Sequence, residues 1–230
     1  MVKKLRYGNT NTFFVQGTGG ALLVDTDFAG TLPAFYRAIK EQGVGMREIT
    51  HVLATHYHPD HIGLISELMG WGVKLLLMDT QKAHVHFADG IFEREKGLRY
   101  EPIEEGRAVL LRCGESRAFL ENLGIAGEII STPSHSADSV VLMLDEGICI
   151  AGDLEPYEYL AAYGENAPLQ RDWARVMHDH PRIIYYAHAN EKALRQEFCG
   201  RRELPVKGKR RPPGTALTRC SGRFCAVFTG

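Results

Sequence analysis

Residues 55–61 read Thr-His-Tyr-His-Pro-Asp-His. Four side chains able to ligate a metal, His56, His58, Asp60 and His61, fall within six residues. They follow residues 49–54, an apolar run that reads as a buried strand. His56 and His58 stand two apart, so in an extended or gently curved loop their imidazoles converge on one ion. Asp60 and His61 fall where the chain turns into a helix and face a second point a few ångströms away. Neutral imidazole and carboxylate are ligands that Zn²⁺ accepts, at about 2.0–2.2 Å. The alternative is that three histidines and an aspartate cluster by chance beside a buried strand.

Around this stretch the chain alternates strand and helix signals. Residues 11–15 and 21–25 are β-rich runs on either side of Gly17-Thr18-Gly19-Gly20, which reads as a hairpin. Thr31 offers an N-cap and Pro33 a first turn for a helix reaching Gln42. Its Leu32, Phe35, Tyr36 and Ile39 recur at helical spacing, so one face packs on a sheet. Residues 62–69 read as helix, 73–78 as strand and 80–87 as helix. A helix over 116–123 ends at Gly124, and strands follow at 128–132, 140–144 and 148–151. Asp145-Glu146-Gly147 turns the chain between the last two. Residues 172–177 are helical, 182–186 a strand and 191–198 a closing helix. Strands grouped as hairpins yet interleaved with helices predict sheets covered by helices, a layered mixed α/β domain. Residues 90–107 show weak periodicity and read as a lid or insertion near the site.

The chain has 230 residues, 44% hydrophobic and 24% charged, ordinary values for a domain that buries its own core. No apolar run approaches the roughly 20 residues of a membrane span. The start carries charges but no apolar stretch after them, so an export signal is not expected and a cytoplasmic location is. Five widely spread cysteines do not resemble a disulfide framework. The net charge of −1 hides an asymmetry: residues 201–230 carry eight Lys/Arg against Glu203, which leaves residues 1–200 at −8. An acidic body disfavours nucleic-acid binding. The expected division is a body over 1–200 and a basic tail over 201–230. That tail reads as disordered, as foreign to the native protein, or as a polyanion-binding arm.

The histidine-rich stretch resembles the signature of the metallo-β-lactamase superfamily, His-x-His-x-Asp-His at a strand end. The family's other motifs occur in order. Its early Asp after a hydrophobic strand matches Asp25 in Leu22-Leu23-Val24-Asp25-Thr26. Its third metal histidine matches His135 in Thr132-Pro133-Ser134-His135-Ser136. Its bridging aspartate matches Asp153 in Ala151-Gly152-Asp153-Leu154, and its last histidine matches His188 in Tyr185-Tyr186-Ala187-His188-Ala189. Ser134 and Ala189 stand where the family often has Gly.

The resemblance implies a four-layer αβ/βα sandwich of two mixed β-sheets flanked by helices. Carried over position by position, it implies one zinc on His56, His58 and His135 and a second on Asp60, His61 and His188, bridged by Asp153. Two dications about 3.5–4 Å apart need an anion between them, which suits Asp153 and a bridging hydroxide. That hydroxide would attack a carbonyl or phosphoryl centre, with Asp60 orienting it and Asp25 supporting the loop without binding metal. His58 stands where redox di-iron members often carry an acid, which favours zinc over iron; manganese is the other alternative.

The site chemistry fits β-lactams, lactones, thioesters, other esters and phosphodiesters. The expectation of no export signal, Asp153 where the best-known zinc β-lactamases use Cys, and the 42 residues given after His188 narrow the expected choice by subtraction. The expectation is a binuclear hydrolase of a small-molecule ester, lactone or thioester, with weak β-lactamase activity and with neither membrane nor nucleic acid as partner. A phosphodiesterase on the same site, a non-hydrolytic di-iron oxidoreductase and a binding module with structural zinc are the alternatives.

Other candidates are weighed individually. Tyr157 and Tyr159, just past Asp153, either reach a substrate oxygen or pack. Phe87, Phe92 and Tyr100 line a pocket under the lid or belong to the core. His84 and His86 point apart on a helix and read as surface residues; His178 and His180 read as solvated at a helix end. His51 reads as packed or hydrogen-bonded in the core. Cys113, Cys149 and Cys199 read as buried small hydrophobes, while Cys220 and Cys225 are placed to pair or bind metal only if the tail is ordered.

Overall fold

A computed structural model describes residues 1–98, 100–162 and 166–194. Strands β1 (Val2–Arg6), β2 (Asn11–Gln16) and β3 (Ala21–Val24) form an antiparallel meander. Helix α1 (Leu32–Glu41) then carries the chain to β4 (His51–Leu53), parallel to β3. Helices α2 (Pro59–Ile62) and α3 (Ile65–Gly70) lead to β5 (Lys74–Met78), and α4 (Asp89–Phe92) precedes β6 (Val109–Leu111). Both strands add in parallel, giving a six-stranded sheet in sequence order.

Helix α5 (Cys113–Asn122) crosses to a second sheet built from β7 (Gly127–Ser131), β8 (Val140–Leu144) and β9 (Ile148–Gly152). Helix α6 (Ala167–His178) returns the chain for β10 (Ile183–Tyr186), parallel to β9, and the short antiparallel β11 (Lys192–Ala193). The order is β11-β10-β9-β8-β7, so both sheets are mixed.

The two-residue period of the strands sorts their side chains into layers. Phe13, Val15, Leu22, Val24, Leu53 and Leu76 meet Val140, Leu142, Leu144 and Ile150 between the sheets. The alternate residues Phe14, Leu23, Val52, Leu75 and Leu77 turn outward under α1 and α3. On the far side Val141, Met143, Cys149 and Ile184 pack against Leu169, Trp173 and Val176 of α6. Helices, sheet, sheet and helices therefore stack in four layers, the sandwich the motifs implied.

The structure bears on several local expectations. On α1, Phe35, Ala38 and Ile39 are buried, whereas Tyr36 is exposed and its ring lies 5.4 Å from that of Trp71. The helix expected over 80–87 is a 3-10 helix over Asp79–His84, within which buried Gln81 accepts from the Met78 amide and donates to the Ala54 carbonyl. The closing helix over 191–198 is contradicted at its start. Lys192–Ala193 pairs with β10 as a strand, since Ile183 and Ile184 offer a free edge; residues 195–198 lie outside the described residues. Within 90–107, Phe92 and Ile103 are buried in the same cluster as Phe14 and Val52. Cys149 is buried but Cys113 only half-buried; Cys199, Cys220, Cys225 and the whole 201–230 tail lie outside the described residues.

Candidate metal centre

Strands β3 and β4 are parallel, as are β9 and β10, and β7 runs in their direction because two antiparallel pairings separate it from β9. Their C-terminal ends each open into a loop carrying a motif residue: Asp25, His56, Asp153, His188 and His135. Two hydrogen bonds fasten these loops together: the Val140 amide donates to the Thr55 carbonyl at 2.8 Å, and the Ala187 amide to the Gly152 carbonyl at 3.0 Å. After His58 the chain turns at once into α2, because Pro59 fits the first helical turn without needing a partner for its nitrogen. The turn brings Asp60 and His61 back toward the strand ends.

Seven side chains converge. His56 Nε2 lies 2.8 Å from His58 Nδ1, which lies 3.4 Å from His135 Nε2. His188 Nε2 is 3.2 Å from Asp60 Oδ2, and His61 Nε2 is 3.9 Å from Asp60 Oδ1. Asp153 sits between the two groups. Its Oδ2 is 3.8 Å from His56, 3.7 Å from His135 and 3.5 Å from His61, and its Oδ1 is 3.3 Å from His188. Three overlapping sets could hold a metal ion: His56, His58 and His135; His56, His61 and Asp153; and Asp60, His61 and His188.

Electrostatics divides these groups. Burial and the neighbouring His61 hold His56 below the usual imidazole range, and burial with His135 lowers His58. Both shifts favour the neutral form of the ring. Burial opposes a charge on His61, but Asp25 and Asp153 outweigh it and raise His61 to about 10. Hydrogen bonds to Asp153 and Asp60 raise His188 to about 10. Burial pushes Asp60 and Asp153 upward, yet the hydrogen bond from His188 and the charge of His61 hold both below the ordinary carboxylate value.

The donor set suits a cation. His61 Nε2 is fully buried without a hydrogen-bond partner, aimed among carboxylates. His56 and His58 direct two nitrogens at each other across 2.8 Å. Burying an unpartnered imidazole nitrogen together with carboxylates is costly unless a positive charge satisfies them, and nitrogen and carboxylate donors suit borderline divalent metals.

A ring of supporting residues fixes the ligand candidates, and most of it carries no sequence signal. Asp25 accepts from the Thr55 amide at 2.7 Å and faces His61 Nδ1 at 3.0 Å. Asp138 accepts from the Tyr57 amide at 2.7 Å, between His56 and His58. Asp172 of α6 accepts from the Ser134 amide at 2.7 Å, beside His135. Asn11 donates to the carbonyls of Tyr186 and Ala189, bracketing His188. Asp138, Asp172 and Asn11 act across separations of 81, 38 and more than 170 residues, so no spacing rule could find them. Asp138 alone had a hint, three residues beyond a motif histidine.

The other candidates fall outside the cluster. His51 is buried against Phe119 and hydrogen-bonded to Thr50. His86 pairs with Asp89 at 2.8 Å. Phe92 and Tyr100 pack with each other, their centroids 4.2 Å apart. Tyr157 lies edge-on to Trp173, and it and Tyr159 remain 38% and 47% exposed.

The family model of the metallo-beta-lactamase superfamily matches residues 5–191, and the chain belongs to that superfamily. The lactamase-like protein notP of Aspergillus sp. (strain MF297-2) is 29% identical over 145 residues, covering 62% of this chain and 37% of that protein. An atrochrysone carboxyl ACP thioesterase of Aspergillus fumigatus is 29% identical over 139 residues, 60% of this chain and 27% of that one. The matched stretch thus spans about a third of these curated relatives. A solved metallo-beta-lactamase family protein from Thermus thermophilus superposes with a TM-score of 0.62 at 25% identity, over 84% of this chain and 74% of that chain. Among the described residues no helix is long and apolar enough to cross a membrane.

Proposed function

We propose that the chain is a zinc-dependent hydrolase of a small-molecule ester, lactone or thioester, its hydrolase body occupying residues 1–200. The observation that carries this is Asp153, placed within 3.3–3.8 Å of imidazole nitrogens of His56, His61, His135 and His188. His56, His58 and His135 would hold one ion, and Asp60, His61 and His188 the other, with Asp153 shared. The nitrogen-rich first set, with His58 in place, supports zinc over iron. When bound, the ions supply Lewis acidity that polarises a scissile carbonyl and lowers the pKa of water toward neutrality.

The chain's own groups do the rest. Asp60 is half-buried on the short helix α2 and so presents a positioned carboxylate able to take a proton from a nearby water or hold it in line. Asp25 fixes the His61 ring through Nδ1, leaving Nε2 for a ligand. Tyr157 and Tyr159, in the 3-10 helix Tyr157–Ala161 that follows β9, are 38% and 47% exposed and enter the proposal as substrate contacts from outside the ligand cluster. The Aspergillus relative described as an acyl-carrier thioesterase supports the thioester among the three substrate classes.

The test is a panel of a thioester, a lactone, a phosphodiester and a chromogenic β-lactam, run with and without chelator. Chelator-sensitive turnover of the thioester or lactone above the other two supports the reading. Preference for the phosphodiester, or turnover that chelator leaves untouched, overturns it.

A further inference from the structure

Phe87 is a large apolar side chain beside the ligand cluster that the core does not absorb. It is 56% exposed, yet its ring centroid lies 5.5 Å from that of His58. The exposure is built in, because the segment around it is tied down. Val85 and Ala88 on either side are fully buried, and Phe92 one turn later packs edge-on against Phe28. The Phe87 amide donates to the His84 carbonyl, while Asp89 accepts from Tyr100 and pairs with His86, joining three points of the segment. These contacts tie the segment down with Val85 and Ala88 facing the core and Phe87 facing solvent. A phenyl group held in water beside polar rings forfeits the transfer free energy that burial would give.

We propose that Phe87 is a specificity-determining residue: it forms an apolar platform for the acyl chain or ring carried by the substrate next to its scissile carbonyl. The position follows from geometry. A carbonyl held beside His58 would direct a substituent toward the tilted Phe87 ring, whose centroid is 5.5 Å from that imidazole, and an apolar substituent would cover the exposed face. The substrate class is accordingly an apolar acyl derivative rather than a small polar ester. The proposal rests on the metal-dependent hydrolase reading above.

The experiment is calorimetric titration of the metal-loaded full chain with acetohydroxamate and octanohydroxamate, in wild type, Phe87→Ser and Phe87→Leu, with metal content measured for each. The proposal expects octanohydroxamate to bind the wild type more tightly, the ratio of the two affinities to fall about tenfold in Phe87→Ser, and Phe87→Leu to keep most of it. Equal ratios in wild type and Phe87→Ser overturn the platform while leaving the metal reading intact. Metal-loaded wild type that binds neither hydroxamate also overturns the platform, and wild type that takes up no metal overturns the metal reading and the platform with it.

Discussion

Asp25 and His61 lie fully buried with Oδ2 3.0 Å from Nδ1, and the same carboxylate receives the amide and hydroxyl of Thr55. One side chain therefore sets both the ring orientation of His61 and the exit of the chain from β4. Asp25 occupies a left-handed backbone conformation, φ 60°, which asparagine also tolerates. Asp25→Asn should keep the fold and weaken metal binding by about 10–100-fold, since the amide holds the imidazole less firmly. Competition with a chromophoric chelator measures this; unchanged affinity would remove Asp25 from its supporting role.

Gly152 precedes Asp153 with φ +56°, and a Cβ there would lie 2.5 Å from Thr55 Oγ1 and 2.7 Å from its Cβ. Both the conformation and the close approach require glycine. Gly152→Ala should cost about 3 kcal/mol and lower Tm by roughly 6–12 °C. Thermal melts followed by circular dichroism decide it, and a Tm within about 2 °C of wild type would contradict the strain argument.

Asp138 is buried and accepts from the Tyr57 amide between two ligand candidates. Asp138→Ala leaves that amide unpaired inside the protein, at a cost of about 1–3 kcal/mol. Asp138→Asn keeps an acceptor and should recover most of the loss. Urea unfolding curves with equal m-values would show this; an Asn variant as unstable as the Ala variant would point to charge rather than the hydrogen bond.

Asp60 bears on chemistry more than on folding, being only half-buried and joined to His188. Asp60→Asn should lower kcat/KM on a reporter thioester at least about a hundredfold while the far-ultraviolet spectrum and melt stay close to wild type. Undiminished turnover would remove Asp60 from its assigned part.

How far these features can be read from the chain itself varies with their range. The central motif is legible because its four ligand candidates are neighbours in sequence, and an apolar strand running into polar residues marks a sheet end. His135, Asp153 and His188, far apart in the chain, are legible only through the resemblance, which supplies the motifs that surround them. By contrast β1, Val-Lys-Lys-Leu-Arg, buries only Leu5 fully, and β6 has three residues on an edge with Leu110 exposed. Neither presents the alternation that marks a half-buried strand. Lys192–Ala193 becomes a strand only because β10 offers an edge, a tertiary preference that local propensity cannot express. Asp138 and Asp172 escape notice because a single carboxylate that caps a distant amide looks like any other surface acid.

Paired cation sites within the seven-residue cluster are the central claim, and metal stoichiometry reaches it most directly. Protein purified without added metal, reloaded with zinc and freed of excess, should contain about two ions per chain by mass spectrometry. His188→Ala should retain about one and His56→Ala fewer than wild type. Wild type that holds no zinc after reloading, or a zinc content that neither substitution lowers, would contradict it.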